Sequence, residues 1–305
     1  MANSSPPGAG SPGTFDRDTA VTLQEESESE SESERLFAAQ VSPDWRAGRG
    51  PHGGYLAAII LRALTETVAD PARSGEWAGG RAPRSLTIHY ARAPEPGPVS
   101  IRTRIERAGR SLSTLSARME GEDGSLIALA LAAFSVPWPA QEIAELPMPE
   151  VAPPDPVRES GALLNKHAPP FVRHLVLQPR MGAVPFTGSD HPMEIGGWLG
   201  LLEPRPIDAL SLAFFSDALF SPPFIRLTEP AATPTIDLTV HFRTPMPRVS
   251  GQAGDPDPDE LCLARFSSGL VHEGFFEEDG VIWAADGTVL IQSRQLGIVL
   301  PITNR

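Results

Sequence analysis

One cysteine, Cys262, stands alone in 305 residues, which rules out an internal disulfide and suits a reducing compartment. On a strand-like segment a lone cysteine reads as a small apolar filler rather than a nucleophile. Positive charge is also scarce. The net charge is −13 with no basic stripe, which argues against a nucleic-acid partner. Residues 1–35 hold eight acids and two arginines, a net of −6, leaving −7 for the rest. The longest apolar run, "YLAAIILRAL", is far too short to span a membrane. The opening "MANSSPPGAGSPG" lacks the basic and apolar regions of a signal peptide. The expectation is a soluble cytoplasmic protein with no membrane partner. No G-x-S-x-G occurs, so a nucleophile elbow is excluded. The seven histidines are scattered, without H-E-x-x-H or a Cys/His cluster, so no metal and no cofactor are expected.

What is present is a core former cut by many turns: 41% hydrophobic residues with 33 prolines and 27 glycines. Residues 1–34, ending in "EESESESESE", read as a disordered acidic Ser/Glu tail, because such a run cannot bury enough surface to offset chain entropy. Residues 35–137 form a first unit. Its helix, His52 to Val68, carries Leu56, Ile59, Ile60, Ala63, Leu64 and Val68 at helical spacing and is apolar on most of its surface, hence buried. Extended segments follow, separated by turns at Pro94, Gly97, Gly109 and Gly124. Residues 138–205 are rich in proline, show no sustained period, and read as a linker. Residues 206–305 restart the order, with a second apolar helix over Pro206 to Phe220 and further strands, including "TIDLTVHFR" and "TVLIQSRQLGIVL".

The two units repeat one another. "SLTIHYAR" answers "DLTVHFR" with Leu86 and Leu238 an offset of 152 apart, and "DGSLIA" answers "DGTVLI" with Gly124 and Gly287 an offset of 163 apart. The loop "GQAGDPDPDE" accounts for the difference. Duplication at this scale predicts pseudo-twofold packing with two sheets joined edge to edge.

A sheet around one buried helix, present twice, resembles an α+β double hot-dog: two antiparallel sheets fused in one chain as a pseudo-dimer. "GPHGGYLAAIILRAL", "RSLTIHYARAPEPG", "SDALFSPP", "TIDLTVHFRTP" and "DGTVLIQSRQLG", in this order and spacing, resemble the acyl-CoA thioesterase II family and its thioesterase-like relatives. The resemblance runs from about Leu36 to Leu300. Two departures bear on substrate range: "ALFSPP" follows "SD" where the family has a polar and aromatic continuation, and "PHGGYLAA" is closer to the broader thioesterase-like group.

Three polar residues interrupt the apolar pattern of the second unit. Asp217 lies in "AFFSDALF", where a buried acid must find hydrogen bonds or a charge partner. Thr235 opens a strand, and Gln295 lies on an otherwise apolar one. The resemblance implies that an Asp after Ser, a Thr before Ile-Asp and a Gln eight residues after a "DG" turn orient the hydrolytic water. Asp217, Thr235 and Gln295 occupy those positions. Gln292 is a rival to Gln295, and their spacing puts the two on opposite strand faces. Thr235 maps by the offsets onto Pro83 and Gln295 onto Ala132, so one active site is expected in the second half. His52, Gly53 and Gly54 begin the first helix. They are candidate substrate contacts, with the glycine amides as oxyanion donors and His52 also explained as a cap.

Hydrolysis of a fatty acyl-CoA to free acid and CoA, without a covalent intermediate, is the first reading, within fatty acid and lipid metabolism. A non-catalytic acyl-CoA-binding module is the alternative. A hot-dog hydratase or dehydratase requires a close Asp and His pair, and neither helix offers Asp-x4-His. Exposed strand edges suggest a homo-oligomer, dimer or tetramer.

Overall fold

The computed structural model describes residues 12–24, 34–70, 80–158, 168–244, 246, 257 and 259–302. The first half runs α1 (Thr14–Asp18), β1 (Val21–Leu23), β2 (Glu34–Val41), α2 (Gly53–Ala69), β3 (Ala82–Tyr90), β4 (Gly97–Arg107), β5 (Leu112–Gly121) and β6 (Leu126–Ser135). The second runs β7 (Leu175–Met181), β8 (Glu194–Leu201), α3 (Ala209–Phe215), β9 (Thr235–Phe242), β10 (Cys262–Ser267), β11 (Val271–His272), β12 (Phe275–Trp283) and β13 (Val289–Ile298).

These strands make one antiparallel sheet in the order β1-β2-β4-β5-β6-β3-β9-β13-β12-β10-β8-β7, with β11 joined to β12. Within each half the order is the same, since β2-β4-β5-β6-β3 matches β8-β10-β12-β13-β9. Period-two alternation builds the inner face. On β5, Ser113, Leu115, Ala117 and Met119 are buried while their neighbours are not. Helix α2 lies against that face, and twelve of its seventeen residues are buried. At about 1.5–3 kcal/mol for each buried Leu or Ile, packing rather than intrinsic propensity holds it helical. The result is the double hot-dog that the resemblance implies, with the edge-to-edge pairing that the repeat predicts.

The halves join where β3 pairs with β9. Thr87 stands opposite Thr239, and their hydroxyls lie 3.0 Å apart. Thr239 is Thr87 displaced by the offset of 152, so a repeat mate meets its own image, as a twofold axis demands. The same bulge occurs in both halves, between Pro83 and Ser85 and between Thr235 and Asp237.

Three expectations are corrected. The second helix spans Ala209–Phe215 instead of Pro206 to Phe220. Asp208 is its N-cap, in a reciprocal box with Ser211, and Ser216 turns its hydroxyl back to the Ala213 carbonyl at 2.8 Å as the helix ends. Asp217 therefore lies in a turn, not inside a helix. The supposed linker 138–205 contains β7 and β8, because Gly196, Gly197 and Gly200 dilute the strand signal and Pro179 is tolerated on an edge strand. The supposed tail 1–34 contains α1 and β1, whose Phe15 is buried against Trp45 and Phe214. The acidic Ser/Glu character of the whole stretch concealed "TFDRDTAVTL" within it. Most of the Ser/Glu run itself, and most of the loop "GQAGDPDPDE", lie outside the described residues.

Candidate active site

The N-terminus of α2 meets the turn that follows α3. Helices can approach this closely only with glycine at the contact. A Cβ on Gly54 would lie 2.4 Å from the Phe214 carbonyl oxygen, and one on Gly53 would lie 2.8 Å from Asp217 Oδ2. The approach delivers the Asp217 carboxylate to the start of α2, where the Gly54 N–H donates to Oδ2 at 3.0 Å. Unpaired amides and the helix dipole both favour an anion there. The Asp217 side chain keeps 16% of its surface exposed, so it is held but reachable.

His52 caps α2. Its Nδ1 accepts from the Tyr55 N–H at 3.2 Å, which places the ring proton on Nε2; that nitrogen donates to the Asp217 carbonyl oxygen at 2.8 Å. Burial pushes the imidazole pKa below its ordinary value, partly offset by Asp217, so the ring is neutral at pH 7. His52 Nε2 also stands 3.6 Å from Asp217 Oδ2. The structure thus contains a close Asp and His pair that helix spacing did not show, since the two residues are 165 apart in sequence. Both ring nitrogens already serve backbone groups, however, so proton transfer by His52 would break the helix cap. Its ring packs on Phe171 and Phe214 and is 2% exposed, which corrects the expectation of a substrate contact at this side chain. Phe171 comes from the stretch read as a linker, in a short 3-10 turn over Pro170–His174.

The expected oxyanion pair is corrected in part as well, because the Gly54 amide is occupied by Asp217. The Gly53 amide, first in α2, has no acceptor within its helix. The Gly53 carbonyl accepts from the Tyr90 hydroxyl at 2.8 Å. Burial, and then Asp217, raise that phenol well above its ordinary pKa, so it remains a donor.

A second cluster sits on the sheet. Thr235 opens β9 at its bulge, and its hydroxyl donates to Gln295 Oε1 at 2.7 Å. Gln295 Nε2 donates to Glu278 Oε1 at 2.5 Å, from the position directly opposite on β12. Gln295 is buried, whereas Gln292 is half-buried on the other face of β13, beside His241. Glu278 is 4% exposed, and no ion pair among the described residues reaches it. Burial pushes its carboxyl up to about 8, with Asp217 and Asp279 adding to the effect and the Gln295 amide opposing it. Sequence reasoning passed over Glu278, Tyr90 and Phe171. The available signal for Glu278 was its place in β12, whose alternation turns it inward.

The structure brings Thr235 and Gln295 into contact, and Asp217 into contact with His52 and Gly54. Among the described residues no hydrogen bond joins the two clusters; Asp217 and Glu278 couple electrostatically across them. Cys262 is buried with its thiol donating to the Leu199 carbonyl, and burial raises its pKa, so it offers no thiolate. No group of three or more His, Cys, Asp or Glu among the described residues is placed to hold a metal ion, and none of the helices described is long and apolar enough to cross a membrane.

Comparison with known proteins gives a family. The acyl-CoA thioesterase N-terminal domain matches residues 41–135 and the acyl-CoA thioesterase C-terminal domain matches residues 147–299. The second match includes β7 and β8, in keeping with the corrected linker. An uncharacterized protein of Mycobacterium tuberculosis is 24% identical over 92% of this chain and 97% of its own length. A conserved hot dog fold protein of unknown function from Alicyclobacillus acidocaldarius superposes with a TM-score of 0.78 at 23% identity, covering 96% of this chain and all of that one. An acyl-CoA thioesterase II from Mycobacterium marinum superposes with a TM-score of 0.68 at 17% identity, covering 95% and 98%. At these identities the structural likenesses carry the fold alone.

Proposed function

Because the chain belongs to the acyl-CoA thioesterase family, we propose that it hydrolyses fatty acyl-CoA to free acid and CoA by direct attack of water. Asp217 takes one proton from the water, Thr235 Oγ accepts the other hydrogen, and Gln295 holds Thr235. With both hydrogens engaged, an oxygen lone pair faces the thioester carbon. Attack forms the C–O bond and moves the carbonyl electrons onto oxygen. The Gly53 N–H at the positive end of α2 stabilises that oxyanion. Collapse breaks the C–S bond, and the proton held on Asp217 passes to the departing CoA thiolate. His52 and Gly54 position Asp217, and Tyr90 positions Gly53. The substrate is a soluble acyl-CoA of fatty acid and lipid metabolism, consistent with a cytoplasmic enzyme, and further association of the fused pair into a dimer or tetramer belongs to the same reading.

The observation that carries the proposal is the asymmetry of the repeat. The N-caps His52 and Asp208 are mates, each accepting from the amide three residues on, which sets a helix offset of 156. By these offsets Asp217, Thr235 and Gln295 answer Leu61, Pro83 and Ala132. A shared fold accommodates apolar residues at all three positions, so their polarity in the second half serves something other than folding.

The test is thiol release from short, long and branched acyl-CoAs by the wild type and by Asp217→Asn in parallel. Turnover that collapses in the variant supports hydrolysis at this site and identifies the chain-length class. Measurable acyl-CoA binding without turnover of any substrate by the wild type would sink the hydrolase reading in favour of a non-catalytic binding module.

A further inference from the structure

Glu278 has no part in the water-binding set just described, yet it is a carboxyl buried within the sheet with no ion pair to a cation among the described residues. Such a group is expensive to bury. Its repeat mate shows that the fold does not need it. Glu278 stands opposite Gln295 on the neighbouring strand, as Leu115 stands opposite Ala132, and Leu115 is fully buried. The polar replacement in the second half therefore extends to a fourth position, and among the described residues that position is hydrogen-bonded to the proposed set through Gln295.

We infer that Glu278 is a positioning residue that sets the direction of the hydrogen-bond chain running from Gln295 through Thr235 to the hydrolytic water. The inference rests on the hydrolase reading for its kinetic consequence. A glutamine amide can point either way round in a buried slot, because its oxygen and nitrogen differ little in shape. An ionised carboxylate is an acceptor only. It therefore draws Nε2 toward itself and turns Oε1 to Thr235. Thr235 must then donate its hydroxyl hydrogen to Gln295, as observed at 2.7 Å, and its lone pairs are left to receive a hydrogen from water. If the amide turned round, Nε2 would donate to Thr235, and the threonine hydrogen would point at the water oxygen. That hydrogen would occupy the lone pair needed for attack.

A protonated Glu278 can accept or donate, so it no longer enforces the productive direction. Its pKa of about 8 puts this change within reach of ordinary assay conditions. Among the described residues, the groups that act on it are Asp217 from the turn after α3, the uncharged Gln295 opposite it on β13 and, through the strand from the other face, its neighbour Asp279, and both acids hold its pKa up. Activity should accordingly rise with pH as Glu278 ionises.

The experiment compares wild type, Glu278→Gln and Glu278→Leu across pH 5.5–9.5, reading kcat, KM and the side-chain amide signals of Gln295 by 15N NMR, assigned by their loss in Gln295→Ala. In the wild type kcat/KM should climb through an inflection near 8, and the Gln295 amide should titrate with the same midpoint. Glu278→Gln should show neither change. It should keep the wild-type rate of pH 6 at every higher pH, about tenfold below wild type at pH 9, with KM within twofold. Glu278→Leu should behave alike if folded; the near-isosteric Gln variant decides the matter if it is not. A Gln295 amide that does not titrate in the wild type, or a Glu278→Gln enzyme that keeps the inflection, overturns the assignment. If no acyl-CoA is turned over, the hydrolase reading fails, but the NMR titration still accepts or rejects the coupling of Glu278 to Gln295.

Discussion

The first and second halves share strand order, bulge position and helix capping, yet one carries Leu61, Pro83, Leu115 and Ala132 where the other carries Asp217, Thr235, Glu278 and Gln295. Helix length makes the first of these exchanges tolerable. Helix α2 runs on past Leu61 to Ala69, so that position is fully buried in mid-helix. Helix α3 stops at Phe215, so Asp217 falls in a turn, partly exposed, on the amide of Gly54. Duplication supplied two equivalent frames; an early helix stop in one of them made room for a carboxylate.

The other half of this contrast is the N-terminal arm. Asp16 of α1 accepts hydrogen bonds from Arg62 on α2 and from Arg205 just before α3, and Arg205 also bonds Asp208, the α3 cap. Burial alone would raise the Asp16 pKa, but the two guanidiniums outweigh it and hold the carboxyl below its usual range. The region around the start of α3, pseudo-equivalent to the proposed site at the start of α2, is thus occupied by a segment of the chain itself.

The comparison breaks most severely at its polar centre. Asp217→Asn should lower kcat by about 10³-fold, the range expected when a general base is lost, with folding unchanged by thermal melt. Placing the acid in the other frame tests the converse. Leu61→Asp would bury a carboxyl in mid-helix without a partner and should cost about 4 kcal/mol in denaturant unfolding, while creating no second site. A Leu61→Asp protein as stable as wild type would remove helix length as the explanation. Gly54→Ala comes next. Its Cβ meets backbone oxygens at the helix contact, so α2 and α3 must separate, at a cost of about 3 kcal/mol with turnover reduced as well.

Those positions also show how far the chain could be read without coordinates. The doubled frame was legible because repeat spacing survives in the strands that carry it, and Thr87 meets Thr239 as the offset requires. Asp217, Thr235 and Gln295 stood out as polar breaks in apolar surroundings, but it was the family resemblance that grouped them as one candidate set. Glu278 was not, because "FFEEDG" is acidic throughout and only strand register separates buried Glu278 from exposed Asp279. The contact of His52 with Asp217 joins residues 165 apart and follows from helix packing, which no local pattern encodes. The arm and the strands of 138–205 were missed for a third reason: composition averaged over a long window hides short apolar segments.

A smaller effect follows from the unusual carboxyl. The folded-state pKa of Glu278, about 8, lies above its ordinary 4.5, so the stability linked to it is complete below 4.5 and is lost as pH rises through 8. Glu278→Leu, which restores the residue type of its mate Leu115, should therefore melt about 3 °C above wild type at pH 8.5, and the gain should shrink toward pH 5. A gain that does not depend on pH would mean that packing rather than ionisation distinguishes the two halves at this position.

The axis itself should respond least. Thr87 and Thr239 share one hydrogen bond at 3.0 Å on the partly exposed outer face of the sheet, where either hydroxyl can turn to donate. Thr87→Val leaves the Thr239 hydroxyl without its partner, and Thr239→Val does the reverse; each should cost about 1 kcal/mol. If the two residues are true images across one axis, the single costs should be equal. The double variant, with no polar group left unpaired, should cost no more than either alone, a coupling that a double-mutant cycle reads directly. Unequal single costs would mean that the halves differ at their seam as well as at their polar centre, and that the asymmetry of the site extends into the frame.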